Sequence, residues 1–173
     1  VVDRIGLLVT NDPSLGHGPL GLVRDCAVVV EDARVVEVTT SGAAGDERVD
    51  VGGRCVLPGF VDSHTHLVFA GDRSEEFAAR MAGAPYEAGG IRTTVEATRA
   101  SSDQELAALA AGRLAEARRA GITTVEVKSG YGLTPHDEER CLRIAGMLTD
   151  ERTFLGAHVV PAEFEGRADD FVR

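Results

Sequence analysis

Near residue 58 the grammar of this chain changes. Upstream, apolar residues come in short runs separated by Gly- and Pro-rich loops. Downstream, each strand-like run is followed by a helical one. The change falls at Pro58-Gly59-Phe60-Val61-Asp62-Ser63-His64-Thr65-His66-Leu67. A Pro-Gly break opens this stretch, an apolar strand follows, and two histidines end it. Side chains alternate faces along a strand, so His64 and His66 point the same way, with Asp62 on that face two residues earlier. Two imidazoles so spaced can hold one metal ion. A bare His-x-His is more often a pair of surface residues, but this one closes an apolar strand, where α/β barrels keep their chemistry.

Residues 1–57 read as β-only. An opening strand covers 2–10. A hairpin covers 27–38, with a four-residue turn at 31–34. A short strand at 49–57 is interrupted by Gly52-Gly53. Together they resemble part of a small β-sandwich domain. His17, in the Gly- and Pro-rich loop before the hairpin, is read as solvated.

From 58 to 173 strands and helices alternate. A helix is expected over 74–81, and a loop carrying Tyr86 over 83–90. Ser102-Asp103-Gln104-Glu105 is a capping box. It opens a helix with Leu106, Leu109, Ala110, Leu114 and Ala117 on one face, ended by Gly121. A strand over 122–128 sets Val125 and Val127 on one face and Glu126 and Lys128 on the other. Two charges inside a strand need each other or a polar site. Thr134 caps the next helix, Pro135 starts it, and Cys141, Leu142, Ala145 and Leu148 form its stripe. His136, in its first turn, is read as solvated. A third strand over 153–160 carries His158. The fold class is α/β: a partial (β/α)₈ barrel of about three strands, preceded by part of a β-sandwich. A closed barrel needs eight strands and roughly 250 residues. The expectation is therefore the N-terminal part of a larger enzyme, and the alternative is a complete small α/β domain.

Composition narrows the partners. Lys+Arg 18 against Asp+Glu 28 gives a net charge of −10, which argues against nucleic acid or an anionic membrane as partner. No apolar run approaches membrane-spanning length and no signal peptide is read before the first strand. Cys26, Cys55 and Cys141 are odd in number and far apart, so a reduced, cytoplasmic setting is expected.

The polar residues at the strand ends and in the loops after them are Asp62, His64, His66, Arg73, Glu126, Lys128, Tyr131 and His158. A metal held by histidines with an open position can activate water, so hydrolysis of a C–N bond is the reaction class implied. Arg73 has a planar fork suited to a carboxylate, or it pairs with Glu75 or Glu76 nearby. Tyr131, between two glycines, is reachable or packs on the next helix. His158 is open between metal ligand, substrate donor and packing residue.

The Pro-Gly-Phe-Val-Asp-x-His-x-His string resembles the first-strand signature of the amidohydrolase superfamily. A closer resemblance, along nearly the whole chain, is to the imidazolonepropionase family. It rests on residues 64–73, on Gly89-Gly90-Ile91 with Thr94-Val95, Ala97-Thr98-Arg99, on Glu126 and Lys128-Ser129-Gly130-Tyr131-Gly132-Leu133, and on Thr153-Phe154-Leu155-Gly156-Ala157-His158. That resemblance implies hydrolysis of 4-imidazolone-5-propanoate to N-formimidoyl-L-glutamate, in histidine breakdown, with one Zn or Fe ion. It makes His64 and His66 metal ligands, Arg73 the clamp for the propionate carboxylate, and Tyr131 and His158 substrate contacts. It also implies a homodimer. The family's remaining metal ligands and proton-transfer residues lie on later strands. No catalytic residue is therefore assigned here, and residues 1–173 alone are expected to be inactive. Two other readings compete: another amidohydrolase, dihydroorotase-like or cytosine-deaminase-like, and a non-catalytic metal-binding or assembly domain.

Overall fold

The computed structural model describes residues 1–83 and 89–173. They divide into two compact units, Val1–Gly59 and Phe60–Arg173.

In the first unit β1 (Val2–Val9), β2 (Leu22–Glu31) and β3 (Arg34–Thr40) form an antiparallel meander. Two short strands, β4 (Val49–Asp50) and β5 (Cys55–Val56), run parallel to β1. They are the two halves of the 49–57 run, parted where Gly52 and Gly53 take φ of +61° and +77°. Ile5, Leu8, Cys26 and Val28 form the buried cluster of this sheet. The β2–β3 turn is tighter than the expected four residues: only Asp32 and Ala33 lie between the strands, at φ +46° and +60°. Both central residues then have the left-handed backbone that matches strand twist in a two-residue hairpin, which overrides the poor fit of Ala to that region.

Asp3 sits fully buried in β1. Its carboxylate accepts from the Gly42 N–H at 3.0 Å and the Arg4 N–H at 2.7 Å, and pairs with Arg48. Those donors, Gly42 first and Arg4 second, hold its carboxyl below the ordinary aspartate range. Arg4 itself has φ +55°, at the register shift between Val2 and Ile5. The buried carboxylate therefore anchors an irregularity in the strand and ties the loop after β3 to it.

The second unit is built on a parallel sheet, β6 (Phe60–Thr65), β7 (Ile122–Lys128) and β8 (Arg152–Thr153), in that order. Between β6 and β7 come α1 (Ser74–Met81), α2 (Gly89–Ala100) and α3 (Asp103–Arg119), and α4 (Pro135–Ala145) joins β7 to β8. A 3₁₀ turn, Ala162–Phe164, and a short helix α5, Ala168–Val172, follow. Val125 and Val127 of β7 meet Leu106, Ala110 and Leu114 of α3 and Cys141, Ile144 and Ala145 of α4 in one core. The Ser102 hydroxyl accepts from the Glu105 N–H at 3.2 Å, and the Thr134 hydroxyl from the Asp137 N–H at 3.1 Å, so both caps form. Gly121, at φ +89°, ends α3 as its spacing predicts. Among the described residues no helix is long and apolar enough to cross a membrane.

Three further expectations are corrected. Leu109 is 38% exposed and leaves the α3 stripe. The third strand is only Arg152–Thr153, and residues 154–160 form no strand. Gly156 breaks the run, with the Phe154 ring so close that a Cβ there would lie 2.2 Å from it, and the Leu155 N–H turns to the Ser129 hydroxyl. Gly89 and Gly90, expected in a loop, open α2. The predicted loop position Tyr86 lies outside the described residues.

Candidate active site

β6 carries His64 near its end, and His66 comes directly after its last residue, Thr65. The strand does not run plainly through them: its pairing with β7 shifts between Asp62 and Thr65. The His64 N–H turns to Asp62 Oδ1 at 3.2 Å, and the Thr65 hydroxyl donates to the Glu126 carbonyl at 2.8 Å. The first bond is local to β6, and the second braces the strand end against β7. The two imidazoles come together, with ring centroids 5.3 Å apart.

His66 is the centre of an aromatic cluster. It stacks on His158 at 4.5 Å with the rings nearly parallel, and lies 5.2 Å from Tyr131. Tyr131 is 5.5 Å from His158 and 5.7 Å from Phe69. His158 thus reaches the histidine pair from an irregular segment rather than from a strand. Gly130, at φ +133°, makes room for it: a Cβ there would stand 2.9 Å from His158 Nδ1.

Both ring nitrogens of His66 are buried without a hydrogen-bond partner among the described residues. Burial, then the neighbouring His158 and His64, push its pKa down to about 4, while the Ser129 backbone pulls the other way without a well-formed bond. The ring is therefore neutral near pH 7, and its lone pair has no hydrogen-bond donor among the described residues. Leaving such atoms unmatched is costly, and a metal ion is the partner that suits neutral imidazole nitrogens. His66 fits a metal on that ground, and the His64 ring lies beside it. Among the described residues no group of three or more His, Cys, Asp or Glu side chains is arranged to hold one.

Beside the histidines lies an open cavity of about 600 Å³, lined by Phe69, Arg73, Glu76, Phe77, Arg113 and Tyr131 among others. Arg73 does not face it with a free fork. Its Nε and Nη2 hold both carboxylate oxygens of Glu76, at 3.1 and 2.9 Å. This bidentate pair presses against Gly90, where a Cβ would overlap the Glu76 carboxylate. At the sheet, Lys128 and Glu126 pair with each other, and the Thr153 hydroxyl donates to the same carboxylate at 2.5 Å. Lys128 first, then Thr153, hold the Glu126 carboxyl below its ordinary range.

Arg113 was not anticipated. From α3 its Nη1 donates to the Leu67 and Phe69 carbonyls, both at 2.7 Å, and its guanidinium covers the Phe69 ring at 3.5 Å. Burial lowers its pKa. It fastens the segment that directly follows His66. The signal was present in the spacing: position 113 lies seven after Leu106 and three after Ala110, a charged residue on the apolar stripe. His136 is 87% exposed and His17 is exposed, as read.

No family model matches the chain. Curated relatives do. A protein named imidazolonepropionase from Mycolicibacterium smegmatis is 60% identical over 174 residues, covering 99% of this chain and 44% of the relative. One from Streptomyces coelicolor is 65% identical over 173 residues, 98% of this chain and 44% of the relative. One from Nocardia farcinica is 61% identical over 170 residues, 97% and 43%. The chain thus spans less than half the length of the curated relatives it matches. Among solved structures, an amidohydrolase is similar with a TM-score of 0.51 at 16% identity, over 88% of this chain and 30% of that one. A triazine hydrolase from Arthobacter aurescens, modified for maximum expression in E. coli, gives 0.52 at 19%, over 85% and 33%. These two share the fold. Along nearly its whole length, then, the chain matches a stretch of proteins named imidazolonepropionase.

Proposed function

We propose that this chain is the front part of a metal-dependent hydrolase that opens 4-imidazolone-5-propanoate with water, giving N-formimidoyl-L-glutamate in histidine breakdown. The relatives named above support the substrate. The observation that carries the chemistry is His66, whose two buried nitrogens lack hydrogen-bond partners among the described residues while His64, Tyr131 and His158 surround it. His64 and His66 would hold one divalent ion, Zn or Fe. Bound there, such an ion would polarise the ring carbonyl and activate water for attack.

The chain's own residues bind and orient. The Arg73 fork takes the propionate carboxylate in the place where it now holds Glu76. Tyr131 and His158 contact the substrate beside the histidines, and the Arg113 bonds keep Leu67–Phe69 from shifting under it. We read the second unit as a partial (β/α)₈ barrel, and the sheet of the first as part of a small β-sandwich. Phe60 and Val61, 56% and 67% exposed, suit a barrel wall whose other strands come from elsewhere in the protein. We place the natural protein in the cytoplasm as a homodimer.

Assay of the natural-length protein tests this. Hydrolysis of 4-imidazolone-5-propanoate is expected, with no turnover of a dihydropyrimidine or cytosine ring. Arg73→Lys keeps the charge but loses the fork, so KM should rise about tenfold with kcat little changed. Turnover of a pyrimidine ring with none of the imidazolone would overturn the assignment.

A further inference from the structure

Tyr131 is carried on a turn with unusual backbone on both sides. Gly130 has φ +133° and Leu133 has φ +57°. Leu133 is bulky and 2% exposed, so its left-handed backbone is a true outlier. Such conformations persist only where the surroundings over-determine them, and they gather at functional sites.

Two side chains from different helices do the holding. Arg99, on α2, donates from Nε to the Gly132 carbonyl at 2.7 Å. Glu138, on α4, accepts through Oε1 from the Gly132 N–H at 2.9 Å and the Leu133 N–H at 2.7 Å. Gly132 packs so closely that a Cβ there would stand 2.6 Å from the backbone of Asp137 and Glu138. Glu138 is 2% exposed, and its second oxygen is buried without a hydrogen-bond partner among the described residues. A carboxylate kept dry with one oxygen unmatched is costly, and an ordinary turn needs none.

We infer that Glu138, assisted by Arg99, is a positioning residue for Tyr131, fixing the turn so that the phenol ring stays against His66 and His158. The inference rests on the reading above, in which Tyr131 contacts substrate. The rival is a purely structural role, since the same bonds close the N-terminal end of α4. Arg99 also pairs with Glu163 at 2.9 Å, so its removal would disturb more than the turn. Glu138 is the cleaner probe.

A double-mutant cycle in the natural-length protein separates the roles, read as KM and kcat for 4-imidazolone-5-propanoate with Tm measured alongside. Glu138→Leu is expected to raise KM about tenfold. Once Tyr131→Ala has removed the ring, the same change should add less than about twofold. Glu138→Gln, which keeps an acceptor oxygen for both N–H groups, should recover most of the loss. If Glu138→Leu does not fold, Glu138→Gln runs through the same cycle and its smaller KM effect must likewise vanish in the Tyr131→Ala background. Effects that multiply in full, or a lowered Tm with unchanged KM, overturn the inference and leave the proposed function standing. An unchanged KM in Tyr131→Ala alone removes the substrate role of Tyr131, and this inference with it.

Discussion

At the residue scale the chain keeps several polar groups buried, some fully matched and some not. Asp3 is matched by the Gly42 and Arg4 N–H groups and by Arg48. Its carboxyl is held below its ordinary value of 3.8, so its contribution is fully present above that pH and is lost as pH falls through the lower folded value. Acid unfolding of the first unit should therefore steepen below about pH 4, and Asp3→Asn should flatten that part of the curve while lowering stability at pH 7. A denaturation series across pH 2–7, followed by circular dichroism, checks this. His66 is the opposite case, with neither ring nitrogen matched among the described residues. The His-x-His spacing pointed to it, but its stacking on His158 was not legible, because that contact depends on a segment with no regular structure. The Arg73–Glu76 pair was legible only as one of two options, since an i,i+3 ion pair and a substrate clamp have the same sequence signature.

At the element scale the caps and glycines were the readable parts. Ser102, Gly121, Thr134 and Pro135 mark helix ends by local chemistry that tertiary contacts do not override. Ser102→Ala should cost about 1 kcal/mol. Ile144→Ala, which empties a site 1% exposed between α4 and β7, should cost about 2–5 kcal/mol. Urea denaturation of the natural-length protein ranks the two, and a larger loss at the cap than in the core would contradict the packing described. The helix Gly89–Ala100 escaped the hydrophobic reading because its buried face is largely threonine. Thr94 and Thr98 are 1% and 0% exposed beside Val95, and the Thr98 hydroxyl donates to the Thr94 carbonyl and accepts from the Ala70 N–H. A face satisfied by hydrogen bonds leaves no apolar stripe. The third strand was over-read for the converse reason. Apolar residues at 154–160 look like a strand, but Gly156 and the turn to Ser129 end the pairing at Thr153.

At the scale of the whole molecule the two grammars of the sequence and the two compact units change over at nearly the same residue. Helices cover one face of the three-stranded sheet through Val125 and Val127, while Glu126 and Lys128 of the same strand pair with each other. Alternation along one strand thus separates packing from polar chemistry, and this was visible in the residues alone. Which further groups would complete a metal site was not: His158 stacks on His66, yet among the described residues no set of three or more His, Cys, Asp or Glu side chains is arranged to hold an ion. The claim that His64 and His66 hold a catalytic metal is tested most directly by metal analysis of the natural-length protein. The wild type and a His64→Ala/His66→Ala variant are purified without chelator and shown to be folded. The account predicts about one Zn or Fe per wild-type chain and less than about a tenth of that in the variant, with hydrolysis lost in parallel. A folded variant that keeps its full metal content, or an active wild type with none, would contradict it.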